Sequence, residues 1–179
     1  MELTGERRLL VATLAYRSGL PIRWRVDRTT GVTGADLQQH FVERLADLVP
    51  SGADVALADD GGLHSVDLLR AARRQGWTFC VRLHADTYVR RAGRRRWQEC
   101  RALDPAQGER RYVEDVYITK EHAFGPVHLI YYWDEEEDDP GRLVTNGQPD
   151  FSACRLDQRH MGIEELFGEL QDGALSRNR

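Results

Sequence analysis

The stretch VALADDGGLHSVDLLRAARRQGWTFCVRL, residues 55–83, decides the architecture. Val55 to Ala58 is a short apolar run that stops abruptly at Asp59, Asp60, Gly61 and Gly62, which reads as a buried strand ending in a loop. Ser65 to Arg74 reads as a helix closed by Gly76, because glycine adopts the left-handed backbone that ends a helix at no steric cost. Thr78 to Leu83, rich in β-branched and aromatic side chains, is the next strand. Strand, helix, strand is the unit of an α/β sheet, and active sites in such sheets collect at the carboxyl ends of buried strands. Asp59 and Asp60 sit at such an end.

Upstream, Leu9 to Tyr16 is nearly all apolar, Gly19 and Pro21 break the run, and Ile22 to Val26 alternates apolar with polar, so a strand, a tight turn and a second strand are expected. Thr33 or Asp36 then caps a helix through Leu48, with Leu37, Phe41, Leu45 and Leu48 at helical spacing and Pro50 beyond its end. Downstream, residues 87–139 change character. Short β-like pieces, Tyr88 to Arg91, Arg95 to Glu99, Val113 to Thr119 and Val127 to Trp133, are separated by polar, turn-rich segments, and the stretch reads as a β-rich insertion. Leu143 to Thr145 returns to the main sheet. Leu156 to Leu170 closes the chain as an amphipathic helix, with Leu156, Ile163, Leu166, Phe167 and Leu170 in one apolar stripe. On that helix Glu165 falls opposite the stripe, whereas Asp157, His160, Glu164 and Gln171 share its border, where a carboxylate can reach a cleft while the helix stays docked.

The chain of 179 residues is expected to form one domain, with 1–86 and 140–172 as its core. Hydrophobic residues at 41% and charged residues at 30% are ordinary for a globular protein and exclude a disordered one. No apolar run approaches a membrane span, and the charged start from Met1 to Arg8 does not read as a signal peptide, so a cytoplasmic protein is expected. Cys80, Cys100 and Cys154 lack paired spacing and imply neither a disulfide framework nor a zinc site. His84, His122 and His128 have no ligand spacing either. The net charge of −4 conceals strong segregation: Arg90, Arg91, Arg94, Arg95 and Arg96 crowd one stretch, and Asp134 to Asp139 is an unbroken acidic run. Exposed charge on a hairpin often only solubilises, yet a basic patch of this density can hold phosphates whatever the overall charge.

Four blocks carry a family resemblance. Asp157-Gln-Arg-His160-Met-Gly-Ile-Glu164-Glu-Leu-Phe-Gly-Glu-Leu-Gln171 resembles the Tyr-x-x-Arg-x-x-x-Glu-x-x-x-x-x-x-Lys signature of DDE-type transposases of the insertion-sequence-four family, with Asp157, His160 and Gln171 standing where the family has tyrosine, arginine and lysine. Leu57-Ala-Asp-Asp60-Gly-Gly-Leu-His64, followed by Gly76-Trp-Thr-Phe-Cys-Val-Arg-Leu83, is similar to the family's strand, Asp-Arg-Gly-Phe loop, helix and Gly-Trp-x-Phe-x-x-Arg-Leu strand. Leu14 to Trp24 resembles the early hairpin, and Tyr132-Trp133 with Leu143 to Asn146 resembles the end of the family's insertion.

The resemblance implies a ribonuclease-H-like mixed sheet flanked by helices, with a β-rich insertion before the last helix. It implies two divalent metals, usually Mg²⁺, that cut and join DNA; hard carboxylates suit such ions, and several must converge on them. Asp60 and Glu164 fall on the second and third catalytic acids, with Asp59 as the alternative to Asp60. Arg90, Arg91, Arg94, Arg95, Arg96, His160 and Gln171 are the expected DNA contacts. The first catalytic aspartate belongs to a strand that the family places before the segment matching Arg7 to Tyr16, upstream of Met1, so this first strand is expected to be missing and activity lost or very weak. The expected partners are transposon-end DNA and, as a dimer, either a second copy or an intact transposase. The alternative is a non-catalytic DNA-binding or transposase-inhibiting remnant.

Overall fold

The helix at the centre of the deciding stretch is fixed at both ends by short-range chemistry. In the computed structural model, which describes residues 8–15, 19–27, 34–59 and 65–148, α2 spans Val66–Arg74 and Ser65 is its N-cap, its hydroxyl accepting from the Leu68 amide at 3.2 Å. At the other end Gly76 takes φ +73°, and the amides of Gln75, Gly76 and Trp77 return to the carbonyls of Ala71, Arg73 and Ala72. Asp67 in the first turn and Arg73 and Arg74 in the last complement the helix dipole. The flanking strands, β3 (Ala56–Asp59) and β4 (Thr78–Arg82), run parallel with Leu57 opposite Phe79 and Asp59 opposite Val81. Asp59 is thus the last residue of the strand rather than the first of the loop.

The other elements are β1 (Arg8–Ala15), β2 (Gly19–Asp27), α1 (Ala35–Ala46), β5 (Tyr88–Arg91), β6 (Gln98–Glu99), a 3₁₀ turn (Cys100–Leu103), β7 (Arg110–Ile118), β8 (Phe124–Tyr132) and β9 (Gly141–Thr145). The result is an α/β fold with a seven-stranded mixed open sheet in the order β3-β4-β9-β8-β7-β5-β6, plus a separate two-stranded β1-β2 sheet. Among the described residues only the β3-β4 pair is parallel. The strands of residues 87–139 do not form a sheet of their own: β9 pairs β4 on one side and β8 on the other, so β8, β7, β5 and β6 continue the same sheet outward. Asn146, just past β9, extends the β4 pairing with its side chain, accepting from the Phe79 amide at 2.8 Å and donating to the Trp77 carbonyl at 3.0 Å.

Several expected boundaries shift. The capping residue of α1 is Gly34, without a side-chain cap; Asp36 lies inside the first turn, where its charge favours the helix N-terminus, and Thr33 is outside the described residues. The helix stops at Ala46, so Leu48 leaves the apolar stripe and is 54% exposed, while Gln38 and Val42 join Phe41 and Leu45 in the buried face. Arg95 to Arg96 do not pair, and β6 is confined to two residues. Five adjacent exposed positions, 92–96, are satisfied by water more cheaply than by a strand partner. The closing helix lies outside the described residues.

Both helices bury into one face of the sheet, where Phe41, Val42, Leu68, Leu69, Phe79, Val81, Val127 and Leu129 belong to a single cluster. Cys80, Ile130 and Leu143 form a smaller cluster on the opposite face. The β1-β2 hairpin joins the larger cluster through Ala12, and Arg23 lies 5.9 Å from the Phe41 ring centre.

Candidate nucleic-acid interface and the acid at the end of β3

Strand alternation assigns Asp59 to a face. Leu57 and Asp59 project to the side where their register partners Phe79 and Val81 enter the helix-covered core, whereas Ala58 shares the other side with Cys80. Asp59 is only 8% exposed and is engaged by its surroundings. Asp60, Glu164, His160 and Gln171 lie outside the described residues, as does Asp157. Among the described residues no group of three or more His, Cys, Asp or Glu side chains is placed to hold a metal ion, and of the expected acids Asp59 alone lies within those residues.

The arginine segment divides into one anchor and four free charges. Arg90 donates to the Arg94 carbonyl at 2.8 Å and stacks between Trp97 and Tyr117, whose ring centres are 5.1 and 5.0 Å away. These contacts fix the turn around Gly93, whose φ of +73° suits glycine, and the Ala92 amide ties the turn to the Asp115 carbonyl at 2.7 Å. Arg91, Arg94, Arg95 and Arg96 are exposed, and no carboxylate of the described residues lies within ion-pairing distance of them. Tyr117 alternates with the core residues Val116 and Ile118, so the Trp97-Arg90-Tyr117 stack stands on the sheet face away from the helices. Lys120 adds a cation there, 3.3 Å from the Tyr88 ring centre. A turn held rigid by one arginine and bearing four uncompensated ones can contact a phosphate backbone with little ordering cost. The acidic run is elsewhere, in the β8-β9 connection, where Asp134 pairs with Arg110 at 3.6 Å.

Two polar groupings, one part-buried and one buried, escaped the sequence reading. Arg142 grips Asp104 through two hydrogen bonds of 2.7 and 2.6 Å, pinning the 3₁₀ turn to β9. Cys100, fully buried, lies with its sulfur 3.2 Å from the Tyr131 hydroxyl, which also donates to the Cys100 carbonyl at 3.3 Å. Burial pushes the Cys100 thiol up to about 11 and holds Tyr131 far above the usual phenol range. Cys100 is therefore a packing residue rather than a nucleophile.

Its titration has a sign. The folded thiol ionises above the unfolded one, so the stabilising difference is complete below the unfolded pKa and is lost as pH rises to about 11. From pH 8.5 to 11 this loss is expected to be roughly 2 kcal/mol. Urea unfolding at pH 8 and 10.5 checks it: Cys100→Ala should lose distinctly less stability over that interval than the unsubstituted chain, and equal losses would contradict the assignment.

At the level of class, the described chain is an α/β protein with two helices and a seven-stranded mixed open sheet carrying a basic turn. Among the described residues no helix is long and apolar enough to cross a membrane. No protein-family model, curated protein or solved structure matches the chain.

Proposed function

We propose that this chain is a DNA-binding protein of DDE-transposase type, with a ribonuclease-H-like core and with strand-cleaving activity lost or very weak. The observation that carries DNA binding is the set of four exposed arginines, Arg91, Arg94, Arg95 and Arg96, without carboxylate partners among the described residues, on a turn locked by Arg90. The transposase reading draws support from the order of elements. The Leu57 to Leu83 block forms parallel strands joined by a capped helix, with an acid buried at the carboxyl end of the first, and β9 belongs to the main sheet, to which Leu143 to Thr145 was expected to return. The reading of lost or very weak activity draws on Asp157, His160 and Gln171 standing where the resembled family has tyrosine, arginine and lysine.

Fluorescence anisotropy on a labelled duplex, titrated across salt concentrations, tests the binding claim. Arg94→Ala/Arg95→Ala/Arg96→Ala is expected to weaken binding by about tenfold to a hundredfold at low salt and to flatten the logarithmic salt dependence by roughly 2 to 3, since each neutralised phosphate contributes about 0.9 to the slope. Unchanged affinity and slope would remove this surface from the proposal. With Mg²⁺ and transposon-end duplexes the purified chain is expected to give no strand transfer or hairpin products; their appearance would refute the inactive reading.

A further inference from the structure

On the helix-covered side of the molecule the last turns of α2 and the β7-β8 connection enclose an open groove of about 480 Å³, lined by Arg70, Arg73, Arg74, His122, Phe124 and neighbouring backbone. Arg70, Arg73 and Arg74 recur at i, i+3 and i+4, so they share one side of the helix. The three differ in how their charge is met. Arg70 pairs with Asp67 at 3.0 Å and Arg74 with Glu43 at 3.4 Å, through side chains that stay 36–54% exposed, so that water can replace either partner at modest cost. Arg73 meets carbonyls instead, donating to Pro126 at 3.0 Å and Gly125 at 3.4 Å while stacking 4.3 Å from the Phe124 ring centre.

Arg73 is therefore a partly desolvated guanidinium with no carboxylate of the described residues in ion-pairing distance, and burial lowers its pKa. A cation removed from water without a counter-charge is destabilised, and an anion seated beside it restores the balance. Its two carbonyl bonds and the ring beneath it also fix the plane of the guanidinium, which favours planar two-point recognition over loose ion pairing. The helix end does not repel such an anion strongly, because the carbonyls of Ala71, Ala72 and Arg73 are already taken by the amides of Gln75, Gly76 and Trp77.

We propose that this groove binds a phosphate group, with Arg73 as the fixed anchor, Arg70 and Arg74 swinging from their exposed carboxylate partners to complete the clamp, and His122 at the rim. The site goes beyond the arginine-turn surface: it lies on the helix-bearing face, whereas the Arg90 stack stands on the opposite one. Its phosphate can belong to a small free phosphate compound or to a polynucleotide backbone.

Isothermal titration calorimetry with inorganic pyrophosphate, in phosphate-free buffer at low ionic strength, is the test. The intact chain is expected to bind one equivalent. Arg70→Gln/Arg74→Gln, substitutions at one half-buried and one exposed position outside the core cluster, should weaken this binding at least about tenfold, and Arg73→Lys, which keeps the charge but loses the fork, should weaken it by a similar factor. Arg94→Ala/Arg95→Ala/Arg96→Ala should leave it unchanged. Absence of binding by the intact chain, or pyrophosphate affinity indifferent to both groove variants, overturns the proposal, as does loss of pyrophosphate binding in the arginine-turn variant. A 20-nucleotide single strand titrated into the arginine-turn variant then identifies the source: displacement of pyrophosphate marks a polynucleotide backbone, and retention marks a free phosphate compound. Because the two sets of variants are separate, failure of the groove leaves the DNA-binding turn standing, and the reverse holds.

Discussion

Replacing Phe79 with alanine is expected to lower the unfolding free energy by about 3–5 kcal/mol, the range for deleting a fully buried aromatic ring. Phe79 is 0% exposed on β4, a strand buried between β3 and β9, and its ring lies 6.2 Å from that of Phe124 on β8, two strands away. The cavity opens where the deciding strand-helix-strand unit meets the rest of the sheet, so neither side can collapse into it without moving the other. Urea unfolding followed by circular dichroism measures the loss. Phe79→Leu keeps most of the volume and should cost distinctly less, and equal costs for the two variants would deny that packing is the cause.

Asp104→Ala is expected to cost roughly 3 kcal/mol, because it strands Arg142. The two side chains are 13% and 20% exposed and are joined by two short hydrogen bonds, so the usual discount for a surface ion pair does not apply in full. The hydrogen bonds that Arg142 donates to Asp104 raise its pKa further, and a guanidinium stays charged at any ordinary pH even without that partner. A double replacement, Asp104→Leu/Arg142→Met, removes the charge together with its partner and should recover most of the loss. If the double variant is as unstable as the single one, stranded charge is not what makes Asp104 important. The pair matters to the architecture because the Arg142 carbonyl accepts from the Leu83 amide at 2.8 Å, so one residue joins the 3₁₀ turn, β9 and the end of β4.

Local patterns made the first half of the described chain legible. The stop at Gly76 and the apolar runs around Leu57 and Phe79 are statements about neighbours in sequence, and they placed β3, α2 and β4 to within a residue or two. The same patterns missed the end of α1, where helical spacing carried the stripe to Leu48 although the helix stops two residues earlier. They also read residues 87–139 as an insertion while leaving open where its strands pair. Alternation reports that a strand has a buried face, not which strand lies beside it; the pairing of β9 between β4 and β8 was therefore invisible until the fold closed.

For the candidate sites the division is similar. Sequence alone identified the density of arginines at 90–96, the acids after Leu57 and the segregation of charge, because composition and spacing are local. Tertiary structure decided that Arg90 is the anchor of its turn, that Asp59 projects toward the helix-covered core, and that three arginines of α2 face a turn about fifty residues away, as in the Arg73 to Pro126 contact. The physical reason is that a side chain's role depends on which charges and rings surround it and on how much water it retains. Both are set by long-range packing, which no short stretch of the chain encodes by itself.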